Sequence, residues 1–240
     1  MARPSGKVER LEALGKICAQ GQILHIAQVA QQLGTSEATL RRDLTGGAGD
    51  LVCLGGYVMR AIEAAEGYSL HRAEGSDPEV KAALGRAAAA LIVPEDAIFI
   101  DCGSTLVHLA RHLPQRAGLT VVTQALNIAE EVSRLDGVRL ILLGGHYHPE
   151  TASFSGQQAL RMLDDLSLTK GFFSAAGVDQ KLGVSSFHFY EQATKRAALA
   201  RCRQRFLVCD ASKSGKLRPA LYAQLSEFDQ WIGAPADVEA

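Results

Sequence analysis

The sequence has few cysteines and no long apolar run, and both absences exclude classes of protein. Its 240 residues include five cysteines, an odd number, and no two of them form a CxxC pair. A disulfide framework and a cysteine zinc site are therefore disfavoured. The most apolar stretch, residues 82–93, contains Arg86 and is too short to span a bilayer. The N-terminus leads into an amphipathic pattern without a signal peptide, so we expect a cytoplasmic protein with no membrane partner.

A strong charge of either sign is also missing. The formal net charge is −1, and the apolar fraction of 47% is ordinary for a folded protein, which disfavours disorder. The distribution is more informative than the total, because residues 1–60 carry seven Lys or Arg against five Asp or Glu. This local excess has the sign expected of a segment that binds nucleic acid.

The first 45 residues have the periodicity of three short helices. Apolar residues recur at helical spacing over 8–18, over 26–34 and again over 36–44. Gly21 ends the first pattern, and Gly34 follows the last apolar residue of the second. A helix, a glycine turn and a second helix predict a helix-turn-helix over about residues 25–44.

The third helix divides into an apolar and a polar side. Leu40 and Leu44 fall on one side and predict packing against the first two helices. The opposite side carries cations and small polar groups, as a helix that enters the major groove requires. The predicted DNA-binding residues are Ser36, Ala38, Thr39, Arg41, Arg42 and Thr45. The alternative interpretation is a solvated helix with two surface arginines.

Residues 50–60 favour the DNA-binding interpretation. They form two short apolar runs joined by Gly55 and Gly56, which is the pattern of a two-residue hairpin. Three helices and a hairpin make a winged helix-turn-helix, with Arg60 as a further positive charge. We therefore predict a DNA-binding domain over residues 1–62 and a linker over 63–80.

From Lys81 onward, helices and strands alternate. A helix is expected from Lys81 to just before Pro94, where it must end. The following pattern predicts strands at 97–101, 119–123, 138–144, 171–177, 205–210 and 229–234, and helices at 104–113, 125–135, 156–165 and 190–202. Such alternation predicts a Rossmann-like α/β domain over residues 81–240, with a mainly parallel sheet covered on both faces.

Polar and flexible residues follow several of these strands, where ligands bind in such sheets. Residues 101–105 open a helix whose backbone N–H groups suit a phosphate. Glu191 and Lys195 are four residues apart, which predicts a surface ion pair or, alternatively, contacts with sugar hydroxyls. His146 and His148 lack a third ligand, so no metal is predicted. The candidate effector-binding residues are Asp101, Gly103, Ser104, Thr105, Gly144, Gly145, Gly177, Glu191, Lys195 and Lys213.

The order of the motifs resembles one known family over nearly the whole chain. The chain is similar to the DeoR-type transcriptional regulators, in which these segments recur in this order. The segments are TSEATLRRDL, LGGYV, FIDCGST, TVVTQALNIA, LLGG, AAGVD, EQATK and DASKSGK. The resemblance implies a sensor fold related to ribose-5-phosphate isomerase and CoA transferases, and effectors that are phosphorylated sugars.

The resemblance also implies roles for individual residues. It assigns phosphate binding to the residues at 103–105, and sugar or phosphate contacts to Asp101, Lys195 and Lys213. Gln124 stands where many members have the shorter Asn, and it completes the predicted effector-binding residues.

The sequence therefore predicts a homo-oligomeric transcriptional repressor of sugar or deoxyribonucleoside catabolism genes. Its partners are operator double-stranded DNA and an inducing phosphorylated sugar. Resemblance of SAAGV, SKSGKLRPA and the wing to family members that control deoxyribonucleoside catabolism implies deoxyribose-5-phosphate. No enzyme activity, catalytic residue or cofactor is predicted. The alternatives are a sugar-phosphate isomerase-like enzyme, with Asp101, Asp179 or Glu191 as base, and an architectural DNA binder without a ligand.

Overall fold

The computed structural model describes residues 6–18, 24–45, 51–54, 57–60, 70, 76–115 and 118–236. The chain divides into two compact units, the first formed by residues 1–67 with 216–219 and the second by 68–215 with 220–240. Most of the predicted linker, 63–80, lies outside the described residues. Within the described ranges, no helix is long and apolar enough to cross a membrane.

Three short helices form the core of the first unit, as the periodicity predicts. They are α1 (Lys7–Cys18), α2 (Ile26–Gln32) and α3 (Glu37–Thr45). Their inward side chains are buried together, with Leu14, Ile26 and Leu40 fully inaccessible. Gly34 has a φ of 60°, a left-handed conformation that lets the chain turn sharply between α2 and α3.

A small antiparallel sheet accompanies these helices. Its strands are β1 (Leu24–His25), β2 (Leu51–Leu54) and β3 (Tyr57–Arg60), in the order β1-β3-β2. Leu54 pairs with Tyr57, while Gly55 and Gly56 between them lie outside the described residues. The hairpin β2–β3 is the predicted wing, and β1 is an additional strand that two residues of sequence cannot reveal.

The second unit contains eleven strands and five helices among the described residues. The strands are β4 (Ala97–Ile100), β5 (Thr120–Thr123), β6 (Arg139–Leu142), β7 (His146–His148), β8 (Ser153–Ser155), β9 (Leu168–Phe173), β10 (Gly177–Asp179), β11 (Gly183–Ser186), β12 (Cys202–Val208), β13 (Ala220–Ala223) and β14 (Gln230–Ile232). The helices are α4 (Pro78–Ala89), α5 (Ser104–Arg111), α6 (Leu126–Val132), α7 (Gln157–Asp164) and α8 (Phe189–Arg201). Helix α4 begins at Pro78 rather than at the predicted Lys81, because proline is favoured in a first helical turn.

Six parallel strands form the main sheet, in the order β14-β12-β9-β4-β5-β6. Strand β4 lies between β5 and β9. After β4 the chain continues to β5 and β6 on one side of the sheet, and it later forms β9, β12 and β14 on the other side. The loops that follow β4 and β9 therefore run in opposite directions, which leaves a crevice between them at the carboxyl ends of the strands. This is the predicted α/β sheet.

Alternate residues of the sheet face two separate cores. Ile98 and Ile100 pack with α4, α5 and α6 on one face, whereas Phe99 packs with α7 and α8 on the other. Phe172 and Phe173 of β9 divide in the same way. Both faces are therefore covered, as expected for a parallel sheet.

Two smaller antiparallel sheets lie outside this layered arrangement, and the sequence patterns do not predict them. Strands β7 and β8 form a hairpin, and a second sheet has the order β10-β11-β13. The predicted strand 171–177 is wrong at its end, because β9 stops at Phe173 and Gly177 opens β10. Strands of three or four residues are too short to show a clear alternation.

Candidate DNA interface and candidate effector site

Helix α3 presents a polar face to solvent and an apolar face to the core of the first unit. Leu40 and Leu44 are buried, whereas Arg41 and Arg42 are exposed. The Arg41 guanidinium lies 3.7 Å from the Glu37 carboxylate, and both side chains are about half exposed, at 51% and 47%. The arginines are therefore available to a partner, and the two-sided helix has the predicted polarity.

The small polar residues of α3 form hydrogen bonds within the helix. The Ser36 hydroxyl accepts the backbone N–H of Thr39 at 3.1 Å, so Ser36 caps the start of the helix. The Thr45 hydroxyl donates to the carbonyl of Arg41 at 2.6 Å. Ser36, Ala38 and Thr45 are exposed, and Thr39 is half-buried.

An ion pair that is not among the predicted site residues connects α3 to α1. Arg10 Nε lies 2.7 Å from Asp43 Oδ2, with side chains only 13% and 8% exposed. The hydrogen bond that Arg10 donates to Asp43 raises the pKa of Arg10, against a smaller opposing effect of burial. On the helical wheel Asp43 lies about 60° from Leu40, next to the apolar side, a position from which its burial is predictable. The pair fixes the orientation of α3 on the first unit.

In the second unit, four predicted residues meet in one buried cluster at the carboxyl end of β4. Asp101 is fully buried and accepts hydrogen bonds from Gln124 Nε2 at 2.9 Å and from the Ser174 backbone N–H at 3.0 Å. The Lys195 ammonium also binds Asp101, and it lies 3.3 Å from Glu191 Oε2. The expectation of a surface Glu191–Lys195 pair is wrong, because their side chains are only 7% and 0% exposed.

The charges in this cluster keep Lys195 protonated. Burial alone would lower its pKa, but Asp101 above all, then Cys102 and Glu191, raise the pKa of Lys195 well above its usual value. Its ammonium also lies 5.1 Å from the centre of the Tyr222 ring. A buried cation with two carboxyl groups is a polar site assembled before any ligand arrives.

The loop after β4 has the form of an anion cradle. Gly103 has a φ of 138°, and a Cβ there would lie 3.0 Å from the Ser174 side chain. The residue before α5 is Gly103, and among the described residues no side-chain cap binds the start of this helix. Ser104 and Thr105 add two hydroxyl groups at the same helix end. Such a terminus attracts a phosphate through its N–H groups and dipole.

Ser174 takes the place predicted for Gly177 after β9. Its hydroxyl lies 2.8 Å from Asp101 Oδ2 and 2.6 Å from the carbonyl of Cys102, and the Tyr222 hydroxyl donates to its carbonyl at 2.7 Å. Gly177 instead pairs with Ser185 in the small sheet. The predicted strand ends at 177, four residues beyond the end of β9. Ser174 therefore falls inside the predicted strand and is not predicted as a site residue.

The remaining predicted residues belong to other segments of the second unit. Gly144 and Gly145 connect β6 to β7, and a Cβ at Gly145 would clash with the Ser155 carbonyl. Lys213 is half-buried in a short 3-10 helix that follows Asp210. Among the contacts between described residues, none joins Lys213 or Gly177 to Asp101 or Lys195, so their effector contacts stay predictions.

Three stacked rings connect the β7–β8 hairpin to the start of α8. The rings of His148 and Tyr190 are parallel within 2° at 3.5 Å, and His188 stacks on Tyr190 at 4.9 Å. The Tyr190 hydroxyl lies 3.2 Å from the Thr151 hydroxyl. None of these residues is among the predicted site residues, although HYH and FHFY are visible aromatic clusters. Across the described ranges, no three His, Cys, Asp or Glu side chains are grouped to hold a metal ion.

Comparisons with known proteins agree with this architecture. Residues 76–233 match the DeoR C terminal sensor domain, and residues 10–57 match the DeoR-like helix-turn-helix domain. The chain is 32% identical over 221 residues to the deoxyribose operon repressor of Escherichia coli K12, covering 92% of this chain and 88% of that protein. It is 34% identical to the HTH-type transcriptional regulator YgbI of the same organism, over 94% of this chain and 89% of that protein.

The solved structures that match part of the chain are more distant. The probable sor operon regulator of Shigella flexneri is 12% identical, with a TM-score of 0.47 over 68% of this chain and 88% of that chain. Ribose 5-phosphate isomerase A of Methanocaldococcus jannaschii is 14% identical, with a TM-score of 0.45 over 59% and 56%.

A winged helix-turn-helix and an α/β sensor domain in one chain define a DNA-binding transcriptional regulator with a separate sensor. The two family matches, and the 32% identity over 92% of the chain, identify the family of this regulator. The chain belongs to the DeoR family of transcriptional regulators.

Proposed function

We propose that the protein represses genes of sugar or deoxyribonucleoside catabolism and releases its operator DNA when it binds a phosphorylated sugar. The observation that carries the sensor part is the buried Asp101–Lys195–Glu191 cluster beside the uncapped start of α5. A ligand with a phosphate at one end and hydroxyl groups at the other complements this arrangement. The exposed Arg41 and Arg42 support the DNA-binding part.

In this proposal the phosphate binds the residues at 103–105 at the start of α5, and Lys213 supplies a second cation. We rank 2-deoxyribose 5-phosphate first, because a relative with 32% identity is named a deoxyribose operon repressor. Another relative, 26% identical over 238 residues, is named a glycerol-3-phosphate regulon repressor, so a panel of phosphates must be compared.

The proposed regulation requires the effector to bind the DNA-free conformation more tightly than the DNA-bound one. The protein acts as a homo-oligomer in the cytoplasm, because two DNA-binding domains on a symmetric operator strengthen individually weak contacts. The proposed domains are residues 1–62 and 81–240, and the proposed connection 63–80 includes the first turn of α4, which begins at Pro78.

A mobility-shift assay on the DNA upstream of the protein's own coding region tests the proposal. We expect retention of that DNA and its release by one of 2-deoxyribose 5-phosphate, ribose 5-phosphate and glycerol 3-phosphate. Operator affinity that is unchanged by saturating amounts of all three would contradict the sensor part.

The DNA-binding part has its own test in Arg42→Ala. If Arg42 makes a base contact, this variant loses about 1–3 kcal/mol of operator binding free energy. Arg86→Ala, an exposed arginine on α4, is the matched control and should bind as the wild type does. Equal operator affinity of the Arg42→Ala and wild-type proteins would remove Arg42 from the interface.

We do not propose the isomerase alternative. A general base needs a lone pair that is free to take the substrate proton, whereas Asp101 already accepts bonds from Lys195, Gln124 and Ser174. Relatives with more than 30% identity include the deoxyribose operon repressor, YgbI and the lactose phosphotransferase system repressor, and each is named a transcriptional regulator or a repressor. Incubation with ribose 5-phosphate should leave the substrate unconverted, and turnover would revive the enzyme interpretation.

A further inference from the structure

Several buried polar atoms of the second unit have no hydrogen-bond partner among the described residues. They are Gln124 Oε1, Asn127 Nδ2, Ser186 Oγ and His188 Nε2. A buried polar atom without a partner costs free energy that folding does not recover, and native proteins contain few. Such an atom on a residue that binds the Asp101 cluster, as Gln124 does, is a position at which a ligand group can complete the hydrogen bonding.

Two of these atoms, Gln124 Oε1 and His188 Nε2, belong to residues that are linked in a closed ring of contacts. The ring begins at Gln124. Its Nε2 donates to Asp101 at 2.9 Å, while its backbone carbonyl accepts the N–H of Phe154 at 2.9 Å. Ser153 of the same strand pairs with Ala125. Gln124 is thus held between Asp101 and the hairpin β7–β8, with its Oε1 unused.

The ring continues from the hairpin to α8. The Thr151 hydroxyl lies 2.7 Å from the Ser153 hydroxyl and 3.2 Å from the Tyr190 hydroxyl. The His188 ring stacks on the Tyr190 ring. The N–H of Glu191 donates to the His188 carbonyl at 3.2 Å. Glu191 then contacts Lys195, which binds Asp101 and closes the ring.

The chemistry of the two unused atoms restricts the ligand group that suits them. Gln124 Oε1 can only accept a hydrogen bond, so its partner must carry a proton. A phosphate oxygen that is ionised at neutral pH cannot donate, and the adjacent Asp101 carboxylate would repel it. A hydroxyl group both donates and accepts, so it also suits an imidazole nitrogen in either protonation state.

We propose that Gln124 and His188 form a hydroxyl-binding subsite for the carbon chain of the effector. This inference rests on the proposed function, in which a phosphorylated sugar occupies the cleft and its phosphate binds at 103–105. The subsite accounts for the choice among phosphates of different carbon chains: the phosphate end gives affinity, and Gln124 with His188 selects for hydroxyl groups. The stack of His148, Tyr190 and His188 is the wall that positions the imidazole.

Calorimetric titration of the full chain tests the subsite with three probes: ribose 5-phosphate, 2-deoxyribose 5-phosphate and ethyl phosphate, which has no hydroxyl group. His188→Phe keeps a flat ring for stacking on Tyr190 and removes only the nitrogens. We expect this variant to bind the sugar phosphates about tenfold more weakly. Its affinity for ethyl phosphate should equal that of the wild type.

Two further variants keep the test decisive. Gln124→Met removes Oε1, together with the Nε2 bond to Asp101, and should reduce the same preference for sugar phosphates, even if His188→Phe folds poorly. Phe189→Leu is the matched control, because this neighbouring side chain is half exposed and carries no polar atom. It should retain wild-type affinities for all three probes.

The outcomes separate this inference from the function on which it rests. If the wild type binds a sugar phosphate and both His188→Phe and Gln124→Met keep its full preference over ethyl phosphate, the subsite is wrong and the sensor function stands. If the wild type binds none of the three probes and does not bind glycerol 3-phosphate, both proposals fail.

Discussion

Lys195 is the residue on which the candidate effector site depends most. A fully buried lysine is rare in proteins, because an unpaired ammonium loses its hydration in the interior. In this protein the carboxylates of Asp101 and Glu191 balance the charge of the Lys195 ammonium. Gln124 and Ser174 donate further hydrogen bonds to Asp101. Each member of the cluster therefore needs the others.

Lys195→Met should consequently destabilise the second unit. The variant leaves two buried carboxyl groups without their cation, a change that costs about 3–5 kcal/mol in comparable buried pairs. Urea denaturation followed by circular dichroism measures the change in the free energy of unfolding. The control Lys181→Met replaces an exposed lysine and should stay within about 0.5 kcal/mol of the wild type. Wild-type stability of Lys195→Met would show that the buried pair has no structural role.

His148 should make the stability of the second unit depend on pH. Burial, and then the nearby His146, lower the pKa of His148 from 6.5, with His188 adding to this and Glu150 opposing it. The folded form therefore prefers the neutral ring, while the unfolded chain takes up a proton near pH 6.5. Stability is complete above that pH and is lost as the pH falls from there through the lower folded pKa.

The measurement is the melting temperature of the second unit between about pH 7.5 and about pH 5, a range that spans the ordinary histidine pKa. His148→Gln removes this titration, so its melting temperature should fall less over the same range. Parallel curves for the two proteins would assign the pH dependence to other groups.

At the scale of the element, α3 depends on an ion pair that is not part of its DNA-facing side. Asp43→Ala leaves the half-buried Arg10 without its carboxylate and should destabilise the first unit by about 3 kcal/mol. Operator binding should fall with it, because α3 loses its fixed orientation on α1. Glu37→Ala is the matched control: it breaks an exposed pair on the same helix, which contributes less than about 1 kcal/mol. A larger effect of Glu37→Ala on stability would reverse this assignment.

The sequence predicts long elements well and short ones poorly. Helices α5 and α8 have several turns of apolar periodicity, and their predicted bounds differ from the observed ones by at most two residues. Strands β7, β8 and β10 have three residues each, and each pairs with a strand that is close in sequence, β7 with β8 and β10 with β11. Three residues are too few to show the alternation by which a strand is predicted.

The candidate site divides in the same way. Asp101 and Gly103 are predictable because they follow a buried strand and open a helix. The spacing of Glu191 and Lys195 predicts that they are neighbours, but whether they face solvent depends on how α8 packs. Ser174 and His188 become recognisable only when the ends of β9 and β11 are known.

At the scale of the whole molecule, the proposed regulation requires operator and effector to oppose each other equally. Linkage demands that the factor by which the effector weakens DNA binding equals the factor by which DNA weakens effector binding. Titrating 2-deoxyribose 5-phosphate into free protein and into its complex with operator DNA gives the second factor. The two factors should agree, and effector affinity that does not change on DNA binding would exclude this coupling.

Helix α8 contacts two places at once. Its Glu191 and Lys195 lie in the Asp101 cluster, while Gln192 and Arg196 donate hydrogen bonds to backbone carbonyls of Leu221 and Tyr222 on β13. A thirteen-residue helix moves as a stiff rod, since its backbone bonds resist local bending. If a bound molecule displaces the side of α8 that carries Glu191 and Lys195, strand β13 must therefore shift with the helix.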